Sequence, residues 1–110
     1  MIYVFDIDNT ICKTEESDYL NSQPWADRIA EINELFYQGN TVIYFTARGM
    51  GRTNNNVLEA HKMFYDVTRR QLDSWGAKYT TLMLGKPAAD VYVDDKGCSD
   101  GNFFQVRSFE

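Results

Sequence analysis

Two aspartates follow the first apolar run of the sequence. Asp6 and Asp8 come directly after residues 1–5 and are separated by one residue. Because side chains alternate with a period of two in an extended segment, both carboxylates share a face and can address one ligand. Aspartates after a strand are also common as solvated loop charges, so the pair alone indicates only a candidate metal or phosphate site.

Three further apolar segments end in polar residues that suit the same chemistry. Each is short, rich in apolar residues and followed by a loop, the pattern that is typical of a buried strand. They are residues 41–45 before Thr46, residues 81–84 before Lys86, and residues 91–93 before Asp94 and Asp95. Residues 103–106 are a candidate edge strand.

Two amphipathic segments lie between these strands and predict helices. Pro24 suits the first turn of one helix, which ends at Gly39 and Asn40. The other runs from residue 56 to residue 75 and ends at Gly76. Their apolar stripes are Ile29, Ile32, Leu35 and Phe36 in the first helix, and Val57, Met63, Phe64, Val67 and Leu72 in the second.

Strands that alternate with helices predict an α/β fold with a mostly parallel sheet. The 110 residues suffice for one domain, residues 1–110, with a three-layer, Rossmann-like, doubly wound architecture. In such a sheet, ligands bind beyond the carboxyl ends of the strands. We therefore expect the four polar strand ends to form one site.

The chemistry of these groups points to a phosphate ester and a magnesium ion. Carboxylates packed together need a cation, because like charges resist ionisation beside one another. Oxygen ligands with positions left for water and phosphate suit Mg²⁺. Lys86 adds a positive charge and Thr46 a hydroxyl donor. Phosphoryl transfer consists mostly of such positioning and charge neutralisation.

The order of these residues resembles the four motifs of the haloacid dehalogenase-like phosphatase superfamily. The segment Asp-Ile-Asp-Asn-Thr at residues 6–10 is similar to the first motif, and Thr46, Lys86 and the Asp94-Asp95 pair follow in the family's order. The resemblance spans nearly the whole chain. It implies an enzyme, a magnesium-dependent phosphoric monoester hydrolase that works through an aspartyl-phosphate. Asn9 stands where many members carry glycine, although asparagine is also familiar there.

The resemblance implies a role for each matching residue. Asp6 is the expected nucleophile, with one oxygen on magnesium, and Asp8 the general acid and base, whose carbonyl also ligates the metal. Thr46 and Lys86 hold the transferring phosphoryl group. Asp95 is the expected metal ligand of the acidic pair, and Asp94 has a supporting or water-mediated role.

The loop after residue 45 is expected to hold the substrate. Its backbone N–H groups, including that of Ala47, suit phosphoryl oxygens. Arg48 and Arg52, with two glycines between them, are interpreted as a basic lip, and a plain surface turn is the alternative. The intervals between the motifs leave room only for the helices that cover the sheet. The chain is therefore expected to lack a cap domain and to have an open site, unless a second subunit of a homo-oligomer covers it.

The physiological substrate is defined only as a class. The stretch at residues 65–72 and the residues around Lys86 resemble, more loosely, small capless phosphatases of capsule and surface-polysaccharide synthesis. This implies a small phosphorylated metabolite such as a sugar or polyol phosphate. The alternatives are a phosphatase for a phosphoprotein or a nucleic-acid end, an inactive phosphate-binding module, and a phosphoacceptor receiver domain. A receiver is disfavoured because its phosphoacceptor aspartate ends the middle strand, where this chain has Thr46.

Composition limits the partners and the compartment. The net charge of −5 disfavours broad binding to nucleic acid. The sequence shows neither a signal-peptide pattern nor an apolar run of about 20 residues, so we expect a cytoplasmic protein without a membrane partner. Cys12 and Cys98 lack metal-type spacing and are expected to be reduced thiols, with a regulatory disulfide as the alternative.

Overall fold

The structure of the protein is a computed structural model that describes residues 1–107, with side chains described to residue 104. The elements follow one another along the chain with short connections. They are β1 (Ile2–Phe5), β2 (Cys12–Lys13), a 3₁₀ turn (Tyr19–Asn21), β3 (Gln23–Pro24), α1 (Ala26–Tyr37), β4 (Thr41–Thr46), α2 (Val57–Ser74), β5 (Thr81–Leu84) and α3 (Asp100–Arg107).

The main sheet is parallel and has the order β1-β4-β5. Phe5 pairs with Tyr44, and Thr46 pairs with Leu84, so the three strands end near the same edge. The α/β class and the parallel sheet predicted from the sequence are confirmed. The carboxyl edge of this sheet is where the candidate residues of three strands come together.

One face of the sheet carries the core. Val42, Tyr44 and Leu82 are buried on this face, against apolar residues of both long helices. The opposite face is largely open: Ile2 is 70% exposed and Val4 is 58% exposed. Two successive parallel crossovers that advance in the same direction place both helices on one face. The described part of the chain therefore has two layers, and the third layer that the sequence predicted is not among its elements.

The two long helices match their sequence predictions closely. α1 buries Ile29, Ile32 and Leu35, and the chain turns away at Gly39 with a φ of 93°. The Asn56 side chain caps α2 by accepting from the N–H of Glu59. The apolar stripe of α2 was predicted less well. Leu72 is buried, whereas Val57 and Met63 are exposed, and the buried positions include Ala60 and Thr68.

Three local predictions are wrong. Residues 91–93 form no strand, and Val93 is 92% exposed. Residues 103–106 lie in helix α3 instead of an edge strand. Phe103 and Phe104 pack against Phe5 from this helix, which shows that tertiary packing overrode the local β-type composition. The third wrong prediction is the place of Pro24. It does not lie in the first turn of α1 but precedes the helix, in strand β3, where it pairs with Cys12.

The segment between β1 and α1 holds structure that the sequence did not indicate. β2 and β3 form a small antiparallel pair, and the 3₁₀ turn between them reaches the rest of the chain through Tyr19. The Tyr19 ring packs edge-on against Phe64 of α2, and its hydroxyl accepts from the N–H of Gly49. This segment therefore covers part of the loop that follows β4. Within residues 1–107, no helix has the length and apolar character needed to cross a membrane.

Candidate functional site

The loop after β1 is closed by a tight set of backbone hydrogen bonds. The N–H groups of Thr10 and Ile11 both donate to the carbonyl of Ile7, and that of Asn9 donates to the carbonyl of Cys12. Asn9 has a φ of 61°, in the left-handed region that asparagine and glycine tolerate best. Its side-chain oxygen also accepts from the N–H of Thr14. Asparagine therefore suits a position where glycine is the usual alternative.

Asp6 and Lys86 form an ion pair at the carboxyl edge of the sheet. Lys86 Nζ lies 3.2 Å from Asp6 Oδ2, and the other oxygen of Asp6 accepts from the N–H of Ile7. The Asp6 side chain is 34% exposed and that of Lys86 is 22% exposed. A carboxylate and an ammonium group 80 positions apart along the chain thus meet where an external ligand can reach them.

Gly85 shapes the chain that presents Lys86. It has a φ of 103°, and a Cβ at this position would lie 2.9 Å from Val57 Cγ1. The next N–H, that of Lys86, donates to the carbonyl of Thr46 and ties the end of β5 to that of β4. The lysine therefore leaves the sheet at a defined angle, although it stands in a loop.

Thr46 is completely buried at the end of β4. Its hydroxyl accepts from the N–H of Arg48 and so holds the start of the next loop. Thr46 lies on the central strand, between the strands that lead to Asp6 and Lys86. The structure places it in the predicted neighbourhood, and its contact with a phosphoryl group stays a prediction.

Asp8 is paired with Arg48, a contact that the sequence analysis did not foresee. Arg48 Nε lies 3.0 Å from Asp8 Oδ2, and Nη2 lies 2.9 Å from Oδ1. The Arg48 side chain is 0% exposed. Thr14 Oγ1 donates to Asp8 Oδ1 over 2.6 Å. Arg48 is therefore an internal partner of Asp8 in this structure and not part of an exposed lip.

The remaining residues of the predicted lip form a folded turn. The carbonyl of Ala47 accepts from the N–H of Met50, and Gly49 is buried with a φ of 79°. A Cβ at Gly49 would lie 2.6 Å from the Phe64 ring. Arg52 is exposed and lies with its guanidinium 5.2 Å from the centre of the same ring. Of the two arginines, only Arg52 is available to an external ligand.

Asp94 and Asp95 do not join the other carboxylates. Both are exposed, and Asp94 Oδ1 accepts from the N–H groups of Lys96 and Gly97 in a local turn. Among the described residues, no group of three or more acidic, histidine or cysteine side chains could hold a metal ion. In this arrangement the four predicted ligands do not fit a magnesium site, although each has the oxygen donors that magnesium prefers.

The segment after Lys86 touches the site through an aromatic side chain that the sequence analysis passed over. The ring of Tyr92 lies 4.5 Å from Lys86 Nζ, and its hydroxyl donates to the carbonyl of Pro87. Lys86 is thus contacted by a carboxylate and by an aromatic face. An aromatic residue shortly after a site lysine is a weak sequence signal, because most aromatic residues belong to the core.

The two cysteines are free, as predicted, and differ in exposure. Cys98 is exposed, whereas Cys12 is buried with its thiol 3.6 Å from the carbonyl of Ile7. Burial raises the pKa of Cys12, and the negative charge of Asp8 acts in the same direction. The thiol is therefore kept protonated and does not serve as a nucleophile beside Asp8.

Comparison with known proteins shows a shared fold. No family model matches the chain, and no curated protein matches it. A crystal structure of an MCSG target from Vibrio cholerae is similar to it, with a TM-score of 0.85 and 27% sequence identity. The match covers 93% of this chain and 85% of that chain. The likeness supports the α/β architecture over almost all of the described residues.

Proposed function

We propose that this chain is a phosphoric monoester hydrolase in which Asp6 is the nucleophile. The observation that carries the proposal is the Asp6–Lys86 pair, 3.2 Å apart at the carboxyl edge of a parallel sheet. Ligands of open α/β sheets bind at this edge. A carboxylate there that is one-third exposed and paired with a lysine suits attack on a phosphoryl group, whose oxygens the same lysine attracts.

The proposed reaction has two displacements at phosphorus. An oxygen of Asp6 attacks, the bond from phosphorus to the leaving oxygen breaks with its electron pair, and Asp8 gives that oxygen a proton. Water then attacks the aspartyl-phosphate and gives a proton to Asp8. The bond from phosphorus to Asp6 breaks, phosphate leaves, and both carboxyl groups return to their first state. Lys86 offsets the negative charge of the phosphoryl oxygens throughout.

The proposal also includes a magnesium ion, whose binding is considered separately from the bond changes of the reaction. The described arrangement leaves Asp94 and Asp95 in an exposed segment away from Asp6. The same segment touches the site through Tyr92 and Lys86, so it is already anchored near Asp6. We propose that Asp95 would hold Mg²⁺ together with Asp6 and Asp8, with Asp94 in a supporting position, if this segment turned toward Asp6; the ion would offset the negative charge of the phosphoryl oxygens. No bond change in the mechanism above is assigned to the ion.

The resemblance to the haloacid dehalogenase-like superfamily and the arrangement of the chain guide the substrate proposal. The described residues contain a small antiparallel pair before α1 and no separate cap domain, which supports the proposal of a capless enzyme. We propose small phosphorylated metabolites, such as sugar or polyol phosphates, as substrates. We also propose that the protein acts in the cytoplasm and takes part in capsule or surface-polysaccharide synthesis.

A substrate panel tests this function. Purified protein with Mg²⁺ is assayed for phosphate release from sugar phosphates, polyol phosphates, a phosphopeptide and a 5′-phosphorylated oligonucleotide. We expect turnover of the small esters. Preference for the phosphopeptide or the oligonucleotide would replace the substrate class, and no turnover over the whole panel would overturn the function.

The nucleophile is tested by substitution. Asp6→Asn keeps the size of the side chain and removes the charge, so we expect loss of turnover by a factor of at least about 1,000. Asp90→Asn, in an exposed loop, is the matched control and should turn over like the parent. Equal rates for Asp6→Asn and the parent would exclude the aspartyl-phosphate mechanism.

A further inference from the structure

Asp8 is held in one orientation by a partner that the proposed mechanism leaves unused. Arg48 meets it with two hydrogen bonds, from Nε to Oδ2 over 3.0 Å and from Nη2 to Oδ1 over 2.9 Å. Such a bidentate contact fixes the plane of a carboxylate as well as its position. The Asp8 side chain remains 20% exposed, so the fixed side chain is still accessible to an external ligand.

A chain of hydroxyl groups holds Asp8 from a second direction. Thr14 Oγ1 donates to Asp8 Oδ1 over 2.6 Å and lies 2.6 Å from Ser22 Oγ. A threonine hydroxyl has one proton to donate. Since Thr14 gives it to Asp8, Ser22 donates to Thr14. Ser22 and Thr14 are both buried, so the hydrogen bond between their hydroxyl groups is protected from competing water.

Arg48 is fixed by two other elements. Its Nη1 donates to Thr68 Oγ1 of α2 over 3.3 Å, and its guanidinium lies 4.9 Å from the centre of the Tyr19 ring. Its backbone N–H donates to Thr46 Oγ1 over 3.1 Å. The loop after β4, the 3₁₀ turn and α2 therefore all contribute to where the guanidinium sits.

The cost of this arrangement argues for a role beyond stability. A buried ion pair is often no more stabilising than apolar residues of the same volume, because both charges lose their hydration. The guanidinium could bind an external phosphate only if it left Asp8 and the interior. Its full burial and its contacts with Asp8 and Thr68 therefore favour an internal task.

We propose that Arg48, with Thr14, is a positioning residue that aims the Asp8 carboxylate at the leaving oxygen and at the attacking water. The proposal rests on the proposed function, since it assigns Asp8 the proton transfers described above. Proton transfer needs the two heavy atoms within about 2.6–3.2 Å, so a carboxylate that is free to rotate spends less time in reach. The effect should fall on kcat and not on substrate binding.

Conservative substitutions test the hydrogen bond from Thr14 to Asp8. Thr14→Val keeps the shape of the side chain and removes the donor to Asp8, and we expect kcat to fall about tenfold or more with KM changed less than about twofold. Thr14→Ser restores the hydroxyl and should recover most of kcat. Thr80→Val is the matched control, because Thr80 Oγ1 binds the N–H of Val42 at the opposite end of the sheet. Equal kcat for Thr14→Val and the parent would overturn the proposal.

Substrates with different leaving groups distinguish a positioning role of Arg48 from a role in substrate binding. p-Nitrophenolate leaves without a proton, whereas an alkoxide such as that of glycerol phosphate needs one. If Arg48 acts through Asp8, Arg48→Lys should lower kcat/KM for glycerol phosphate at least about tenfold more than for p-nitrophenyl phosphate. An equal loss for both esters, with a raised KM, would show that Arg48 binds the phosphate and would overturn the proposal.

A structural readout keeps the test independent of turnover. Crystal structures of the parent and of Arg48→Lys are compared at Asp8. We expect one orientation of the carboxylate in the parent and a second, partly populated one in the variant, because an ammonium group does not hold both carboxylate oxygens in a fixed plane. An unchanged, single orientation in Arg48→Lys would overturn the positioning role. A parent without turnover would instead overturn the proposed function, so the two failures are distinguishable.

Discussion

Lys86 Nζ and Asp6 Oδ2 meet 3.2 Å apart although their strands are not neighbours. β4 lies between β1 and β5, so the pair crosses the end of the central strand. Two strand spacings amount to roughly 9.6 Å, which the long lysine side chain and the loop residues together can span. A shorter cationic side chain would leave Asp6 without its partner.

Replacing Lys86 tests the charge part of this contact. Lys86→Met keeps much of the apolar stem and removes the ammonium group, so we expect kcat/KM to fall by about 100-fold or more. Lys86→Arg retains the charge and should recover part of the activity. Steady-state kinetics measure both variants, with Lys62→Met on the exposed side of α2 as the control. A Lys86→Met enzyme as active as the parent would contradict the role of this lysine.

Asn9 tests the geometry of the loop that presents Asp6. Because its φ is 61°, Asn9→Ala should destabilise the fold by about 1 kcal/mol more than Asn9→Gly. Both variants lose the hydrogen bond from the N–H of Thr14 to the Asn9 side chain, so their difference isolates the backbone conformation. Urea denaturation measures the two free energies of unfolding. Equal stability would mean that the loop relaxes to another conformation.

Gly97 reports on the proposed metal step. Its N–H donates to Asp94 Oδ1 over 3.1 Å, a contact that changes if the segment turns toward Asp6. We expect Mg²⁺ to shift the amide resonance of Gly97 in a saturable way, and Asp95→Asn to abolish the shift. Asp90→Asn should respond like the parent. A titration in which Gly97 and its neighbours stay unchanged would contradict the assembly of the site by magnesium.

Tyr44 carries a hydroxyl that is buried and has no hydrogen-bond partner among the described residues. Removing an unpaired polar group from the core relieves its desolvation, so Tyr44→Phe should stabilise the protein by about 1 kcal/mol. Chemical denaturation near neutral pH measures the difference. Tyr37→Phe, at an exposed position, should change little. Destabilisation by Tyr44→Phe would show that the hydroxyl has a partner, such as an ordered water.

Alkaline pH should increase the difference in free energy of unfolding between the parent and Tyr44→Phe. Burial raises the pKa of Tyr44 above its ordinary value of 10.0. Above about pH 10 the unfolded tyrosine loses its proton while the folded one keeps it, so the stability of the parent falls as the pH rises. The variant lacks this contribution. A gap in the free energy of unfolding that stays constant from about pH 8 to about pH 11 would contradict the burial effect.

The sequence predicted the elements whose pattern is local. β1, β4 and β5 are apolar runs and both long helices have periodic apolar residues, and the polar strand ends predicted that Asp6 and Lys86 lie close together. These features depend on spacing along the chain. The ends of β1, β4 and β5 lie at one edge of the sheet, and a functional site at this edge stays a prediction.

The contacts that depend on tertiary structure escaped the sequence analysis. Nothing in the spacing of Arg48 distinguishes a buried partner of Asp8 from an exposed cation, because the 3₁₀ turn that covers it is set by side-chain contacts of Tyr19. Residues 91–93 have strand-like composition, yet they do not pair with the sheet in the described chain. Strand-like composition forms a strand only where the backbone can pair with a neighbouring strand.

The order β1-β4-β5 has a consequence for the proposed activity at high temperature. Within the described chain, only β4 has hydrogen-bonded neighbours on both sides, whereas Asp6 and Lys86 follow the two outer strands. Outer strands exchange their amide protons through local opening, which takes less free energy than global unfolding. Fraying of either one separates the pair while the helices and β4 stay folded. Warming should therefore abolish the proposed phosphatase activity reversibly before the main melting transition of the protein begins.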